Sequence, residues 1–381
     1  MAVLPSAPLR PLRIALFAPY DLARAGGVTT HIRAQARALR QLGHTVRIFG
    51  PASAPLDGGE TALSRSVTVS FGGTESGLGL DPRSRSRVTT LFASEPFDIV
   101  HVHEPLVPLL PWFALRHAPS RIVATFHVHR EHGHRWYPVA RPWLQSLVNR
   151  VDVRIAVSEA ARRTVAAHFP GDYEIVPNAI DVDAFRAPRR RPPAMVAGTP
   201  HVLYVGRLEP RKGVDHLIRA MAGVQAGLPQ ARLIVVGNGP EREALVALGR
   251  ATGAQVDFAG RVDDEELPAY VQASDVVCSP ATGGESFGIV LLEAMACEKP
   301  IVASRIEGYE TLIGDADCGT LVPAGDADAI GAALLSLLGD GNRRRMFGAR
   351  GLQAARAYDW AVIARRLDAI YRRLLPENGT V

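Results

Sequence analysis

The chain has 381 residues, of which 47% are hydrophobic and 21% charged, and carries a formal net charge of +5. That length and apolar content predict two domains with separate cores and exclude a disordered chain. The modest positive charge suits an anionic ligand or an anionic membrane surface. With no basic stretch interleaved with aromatics and no zinc or recognition-helix pattern, nothing points to nucleic acid.

In chain order, "RIALFAPY" (13–20) reads as a strand. "GGVTTHIRAQARALRQLGH" follows as a helix, with Ile32, Ala36, Leu39 and Leu42 at helical spacing and Gly43 to end it. "TVRIFGP" (45–51) closes a strand–helix–strand unit, which implies a parallel sheet. "FDIVHVHEP" (97–105), "RIVATFHVH" (121–129), "VDVRIAVSEAARRTV" (151–165) and "YEIVPNAID" (173–181) continue the rhythm. Residues 186–200, "RAPRRRPPAMVAGTP", hold four prolines and four arginines and read as a linker. A second series starts at "HVLYVGRLEPRKGVDHLIRAM" (201–221) and runs through "ARLIVVGNGPEREALVAL" (231–248), "VDFAGRV" (256–262), "DVVCSPA" (275–281) and "PIVAS" (300–304). The expected architecture is therefore α/β: two doubly wound Rossmann-like domains, 1–190 and 191–357, with the default ligand site in the cleft between them. Cys278, Cys297 and Cys318 cannot all pair within one chain, and a reduced, cytoplasmic setting is the simple reading. The N-terminal "MAVLPSAPLRPLR" has three prolines and no apolar core of a signal peptide, and no apolar run is long enough to span a membrane.

Three strand-to-helix loops carry chemistry. "GRLEPRKG" (206–213) sets Arg207 and Lys212 beside glycines at a helix N-terminus, an arrangement suited to a diphosphate; a solvated turn is the plain alternative. In "PYDLARAGGVTTH" (19–31), Gly26 and Gly27 would let backbone approach a ligand closely, although a glycine pair is often only a turn. Neither this loop nor "GNGP" (237–240) fits GxGxxG, so a nicotinamide oxidoreductase loses support. In "GGESFGIVLLEAMA" (283–296), Glu285 falls near a helix start and Glu293 two turns in, on nearly the same face. A carboxylate in so apolar a helix needs a partner. Ligand hydroxyls and a structural arginine both qualify.

Taken together, the Glu285/Glu293 spacing, "GRLEPRKG", the "GGV" loop and "PNAIDVDAF" resemble the family-4 retaining glycosyltransferases, which have the two-domain GT-B fold. "HVHEP" (101–105), "VATFH" (123–127), "RIAVSEAARR" (154–163) and "GESFGIVLLEAMA" are most similar to the bacterial phosphatidylinositol α-mannosyltransferases. The resemblance implies a hexose, mannose from GDP-mannose foremost, passed with retention to a phosphatidylinositol-type lipid at the inner membrane surface by a peripheral cytoplasmic protein. It implies that Arg207 and Lys212 hold the diphosphate, that Glu285 meets the sugar hydroxyls and Glu293 the ribose, and that Ser286, Phe287, Gly288 and Ile289 contribute backbone N–H groups. Gly26 and Gly27 would close on the diphosphate, Val262 would lie near the base, and His127 would face the transferred sugar. No tightly bound cofactor is implied, with Mg2+ at most an assisting ion. A helix after "YDW" (358–360), over about 358–375, would cross back onto the first domain.

On the acceptor side, "DPRSRSRVTTLF" (81–92) reads as a basic amphipathic helix with Arg83 and Arg87 on one face, able to meet anionic lipid. Glu104 and Arg130 join it as acceptor-side candidates, and Trp112, Trp136, Tyr137 and Trp143 as an apolar wall or as core. The loop 70–82 has glycines where the mannosyltransferases have basic residues, and Leu106 stands where a polar residue is expected. A soluble transferase using a UDP- or GDP-sugar with an inositol phosphate or sugar acceptor, and a nucleotide-sugar binding protein without transfer, therefore stay open. The run His127, His129, His132, His134 invites a metal reading, as do "DVD" (181–183) and "DAD" (315–317, 326–328); the expectation is no metal site, with the aspartates as turn and capping residues.

Overall fold

The computed structural model describes residues 10–24, 26–56, 58–71, 74–129 and 137–376. Two all-parallel sheets organise the chain. The first runs in the order β3-β2-β1-β6-β7-β8-β9, built from β1 (Arg13–Phe17), β2 (Thr45–Ala52), β3 (Glu60–Arg65), β6 (Ile99–His103), β7 (Arg121–Phe126), β8 (Val153–Ala156) and β9 (Glu174–Ile175). The second runs β12-β11-β10-β13-β14-β15, from β10 (His201–Val205), β11 (Arg232–Val236), β12 (Val256–Gly260), β13 (Val276–Ser279), β14 (Ile301–Ser304) and β15 (Gly319–Val322). A small antiparallel ribbon, β4 (Val67–Phe71) with β5 (Thr74–Leu78), stands apart.

The central strands β1, β6, β10, β11 and β13 are apolar runs, buried on both faces, as helices packed on each side of a parallel sheet require. "IVHVH" in β6 is buried throughout. In the first body, Val100, Val102 and Phe126 lie in the core on one face, and Ile14, Leu16, Ile99 and Val123 in the core on the other. In the helix Gly27–Gln41, Ile32, Ala36 and Leu39 are buried, while Leu42 falls after the helix end and is exposed. β3, β4 and β5 were not foreseen, because "ETALSR", "VTVSF" and "TESGL" are short, polar or glycine-flanked. "YEIVPNAID" keeps only a two-residue strand.

Each sheet reverses its winding once, at β1/β6 and at β10/β13. In doubly wound sheets the crevice beyond the C-terminal strand ends at such a point is where ligands bind. The chain changes cores early. Ala179 packs with the first body, and Ile180 and Val182 with the second, ahead of the 190 boundary. It returns beside its own outward path: Ile180 N–H donates to Tyr358 O at 3.0 Å and Trp360 N–H to Ile180 O at 3.0 Å. The helix Trp360–Arg373 then packs on the helix Gly27–Gln41, burying Trp360, Leu367 and Tyr371 in the first core.

Candidate active site

After β10 the chain makes a short turn, Pro210–Lys212, and enters the helix Val214–Gly227 through Gly213. Gly213 has φ +64°, and a Cβ there would collide with the Pro280 carbonyl oxygen, so only glycine brings this turn against the loop after β13. Thr282 N–H donates to Arg211 O at 2.8 Å and ties the two loops together.

On this scaffold three cations alternate with two carboxylates. Arg207 Nε lies 3.0 Å from Glu209 Oε1, and Arg211 Nε 3.1 Å from Glu209 Oε2. Lys212 Nζ lies 2.7 Å from Glu285 Oε1, which Arg211 also contacts. Glu209 is 5% exposed and Glu285 13%, whereas Arg207 is 49% exposed, so the acids form the floor and Arg207 the rim. Burial works against the Arg211 charge, but Glu285 and Glu209 outweigh it and hold the guanidinium above its ordinary value. The cluster carries one net positive charge. Glu209 and Arg211 were not singled out from sequence; their signal was their position inside "GRLEPRKG", between the two cations that were.

Glu285 does not share a helix with Glu293. The helix starts at Ile289, and Gly288, at φ +84°, caps it in the left-handed region, so Glu285 sits in the loop before it. Left-handed backbone at Gly288 is what separates the two acids. No side chain caps this helix. Its free N–H groups are an anion site in waiting. Ser286 is half-buried, whereas the Phe287 side chain lies in the core against Tyr358, so only Phe287 backbone can face a ligand. Val262 and Ile289 pack at the edge of the same core. Glu293 Oε2 is buried with no hydrogen-bond partner. Burial, with Asp264 adding to it, pushes the Glu293 carboxyl up to about 7. A buried carboxyl without donors is costly unless a ligand supplies them.

In the first body, Gly26 and Gly27 open the helix Gly27–Gln41, again with no side-chain cap. A Cβ at either would meet nothing within 4 Å, so the protein's own packing does not require these glycines. His127, after β7, is buried; His103 Nδ1 and His127 Nε2 are 2.9 Å apart. Glu104 does not stand open to an acceptor. It is buried, with the strained φ of +45°, and its Oε1 accepts from the Val128 N–H at 2.8 Å and from the His127 N–H. Its carboxylate is used to fold the loop that carries His127.

The helix predicted over 81–92 spans Ser84–Ser94, with Arg83 as its N-cap. Its apolar side is spent internally, since Val88, Leu91 and Phe92 pack on the first core. Arg83 is exposed; Arg87, also exposed, donates to Leu63 O at 3.2 Å and lies 3.6 Å from Asp81. What faces solvent is charge without an apolar stripe. Trp112 packs on Trp143 with ring centroids 4.2 Å apart, and its Nε1–H donates to Leu106 O. Arg130, His132, His134 and Trp136 lie outside the described residues, as does the side chain of Tyr137. His129 is used structurally, with Nδ1 3.1 Å from Ala160 O and from Thr164 Oγ1. Asp181 and Asp326 cap helices through Ala184 N–H and Ala329 N–H, both at 2.9 Å. Cys278, Cys297 and Cys318 are free thiols. No described helix is long and apolar enough to cross a membrane.

Residues 187–354 match the family described as Glycosyl transferases group 1, and residues 25–184 match Glycosyltransferase Family 4. The chain is 35% identical to a phosphatidyl-myo-inositol mannosyltransferase of Mycobacterium leprae, over 97% of this chain and 99% of that one. It is 36% identical to a GDP-mannose-dependent alpha-(1-6)-phosphatidylinositol monomannoside mannosyltransferase of Mycolicibacterium smegmatis, over 71% of this chain and 75% of that one. Among solved structures, Anabaena HepE in complex with UDP superposes with a TM-score of 0.76 at 20% identity, over 95% of this chain and 100% of that one, a likeness of fold.

Proposed function

Because the chain belongs to the family 4 glycosyltransferases, with the GT-B fold, we propose that it moves mannose from GDP-mannose onto a phosphatidylinositol-type lipid with retention of configuration. The relatives' names supply the donor and acceptor. The single observation that carries the reading is the interleaved cluster of Arg207, Arg211 and Lys212 with Glu209 and Glu285, facing the uncapped helix after Gly288.

In this reading the diphosphate enters the cluster and takes Lys212 and Arg207. Lys212 leaves Glu285, which is then free to accept from sugar hydroxyls. N–H groups around Gly288 complete the phosphate shell, and Gly26 and Gly27 meet it from the first body. The two ribose hydroxyls donate to Glu293, ionising it. The bond from the anomeric carbon to the phosphate oxygen breaks, and charge gathers on the leaving diphosphate, where the prepositioned cations are worth most. The acceptor hydroxyl approaches from the same face, bonds to the anomeric carbon and passes its proton to that phosphate oxygen. His127 lines the sugar side. Closure of the two bodies over the donor excludes water.

Mg2+ does not fit the cluster well. It prefers oxygen ligands, but Glu209 is held by Arg211, and Glu285, once Lys212 leaves it, still meets Arg211 and the sugar. No step is assigned to it. The acceptor membrane is met through exposed Arg83, Arg85 and Arg87 by charge rather than insertion.

Thermal shifts with GDP, UDP and ADP test the donor site. Selective stabilisation by GDP, lost in Arg207→Ala, is the expected result. Equal shifts with all three, or a shift that Arg207→Ala keeps, would count against it.

A further inference from the structure

Three histidines converge beyond the C-terminal end of the first sheet, although they are distant in sequence. His31 lies in the helix after β1, His103 ends β6, and His127 follows β7. They are 9%, 0% and 7% exposed. One ring nitrogen from each lies within 4.8 Å of the others. His31 packs edge-on against His127 at 4.9 Å and against His103 at 5.7 Å.

We propose that His31, His103 and His127 form a binding site for a borderline divalent transition metal ion, Zn2+ by its ligand chemistry.

Three observations support it. First, geometry: a tetrahedral ion with metal–nitrogen bonds of about 2.0–2.1 Å holds its ligand atoms about 3.3 Å apart. The 2.9 Å His103–His127 pair and the 4.8 Å limit of the trio bracket that distance, so small ring rotations suffice. Second, the ring atom His31 Nδ1 is buried without a hydrogen-bond partner. A structural cluster of histidines would normally satisfy such an atom. Third, charge: the buried Glu104 carboxylate, bonded to the His127 and Val128 amides, supplies negative charge at the same turn.

Imidazole nitrogens select Zn2+, Cu2+, Co2+ and Ni2+ over Mg2+ and Ca2+. Three side chains leave a fourth position for water or another ligand. This would also tie up the His127 ring, so metal would oppose transfer; that consequence rests on the function proposed above.

The test is titration of the full chain with Co2+, read by the visible bands of four- or five-coordinate cobalt. The expected result is one strong site, weakened at least about tenfold in His31→Ala and in His103→Phe, which keeps the ring stacking. A variant with His129, His132 and His134 all changed to Ala should bind as the wild type does. Thermal melts establish that each variant is folded, and X-ray absorption of the Zn2+-loaded wild type, which needs no variant, should report three imidazole ligands. Octahedral cobalt alone, bands unchanged in both single variants, or bands lost in the triple variant would each overturn the proposal. The spectra need no turnover. A protein that binds Co2+ at the trio but transfers no sugar when freed of metal would overturn the functional reading and leave the metal site standing.

Discussion

Lys212 Nζ lies 2.7 Å from Glu285 Oε1, joining the turn after β10 to the loop before the helix Ile289–Ala296. The donor-free site therefore holds its own counter-ion. A diphosphate must replace Glu285 as the partner of Lys212, and the exchange couples phosphate binding to release of a carboxylate for the sugar. Lys212→Ala should lower kcat by roughly 10²–10³, the range for loss of one preorganised electrostatic contact. Glu285→Gln should cost kcat while free GDP binds at least as tightly, since Lys212 no longer has to leave a carboxylate. Steady-state kinetics beside GDP calorimetry would separate the two effects. Unchanged kcat in Lys212→Ala would remove it from the leaving-group site.

Glu293 gives a pH signature. Its carboxyl is raised to about 7 from an ordinary 4.5, by burial and then by Asp264. Ribose donors favour the ionised form, so donor binding should release a proton near neutral pH. Affinity should rise as pH increases from 6 to 8, and calorimetry in buffers of different ionisation enthalpy would count the proton. Stability runs the other way. The folded chain holds this proton up to about 7 and the unfolded chain only to about 4.5. Stability therefore falls as pH rises through that window. Glu293→Gln should raise Tm at pH 8, leave it unchanged at pH 4, and weaken donor binding at both.

Two glycines should behave oppositely. Gly213→Ala forces a side chain into left-handed backbone and against Pro280, and should cost on the order of 1–3 kcal/mol. Gly26→Ala adds a methyl to open space at an extended φ of −167°. It should leave the melt unchanged and weaken donor binding. Thermal melts with and without GDP check both, and equal destabilisation would mean that Gly26 serves the fold rather than the ligand.

The returning C-terminal helix is fastened by Tyr371, whose Oη lies 2.6 Å from His101 Nδ1 and accepts from Gln35 Nε2 at 3.1 Å. Tyr371→Phe removes both contacts, leaves Gln35 Nε2 and His101 Nδ1 only each other at 3.2 Å, and should cost about 1 kcal/mol in a denaturant titration. A loss below 0.5 kcal/mol would show that water replaces the hydroxyl.

Membrane contact through Arg83, Arg85 and Arg87 should be electrostatic. Each charge near an anionic surface is worth about 1 kcal/mol. Binding to phosphatidylinositol-rich vesicles should fall with salt and fall further when the three become Ala. Salt-independent binding would point to an apolar contact elsewhere.

Much of the site was legible because its parts are local. The fold could be read from strand–helix alternation, and "GRLEPRKG" and "GGESFGIVLLEAMA" each announce a strand end, a turn and a helix start. What was not legible depends on packing. Glu209 and Arg211 look like surface charges until the loops meet and bury them. Glu104 looks like an acceptor residue until its carboxylate is found bonded to the His127 loop. The adjacent histidines of "HVHREHGH" drew attention to one segment, while the trio that meets in space draws one member from the helix after β1 and one each from the ends of β6 and β7, a proximity set by the order β1-β6-β7.

The central claim is sugar transfer, and its most direct test is incubation of the full chain with GDP-mannose and phosphatidylinositol vesicles, with the lipid product analysed by mass and by the NMR coupling of its anomeric proton. One hexose added per GDP released, α-linked as in the donor, is the expected product, with none from Lys212→Ala at comparable times. Donor binding without product on phosphatidylinositol, or a product of inverted configuration, would contradict it.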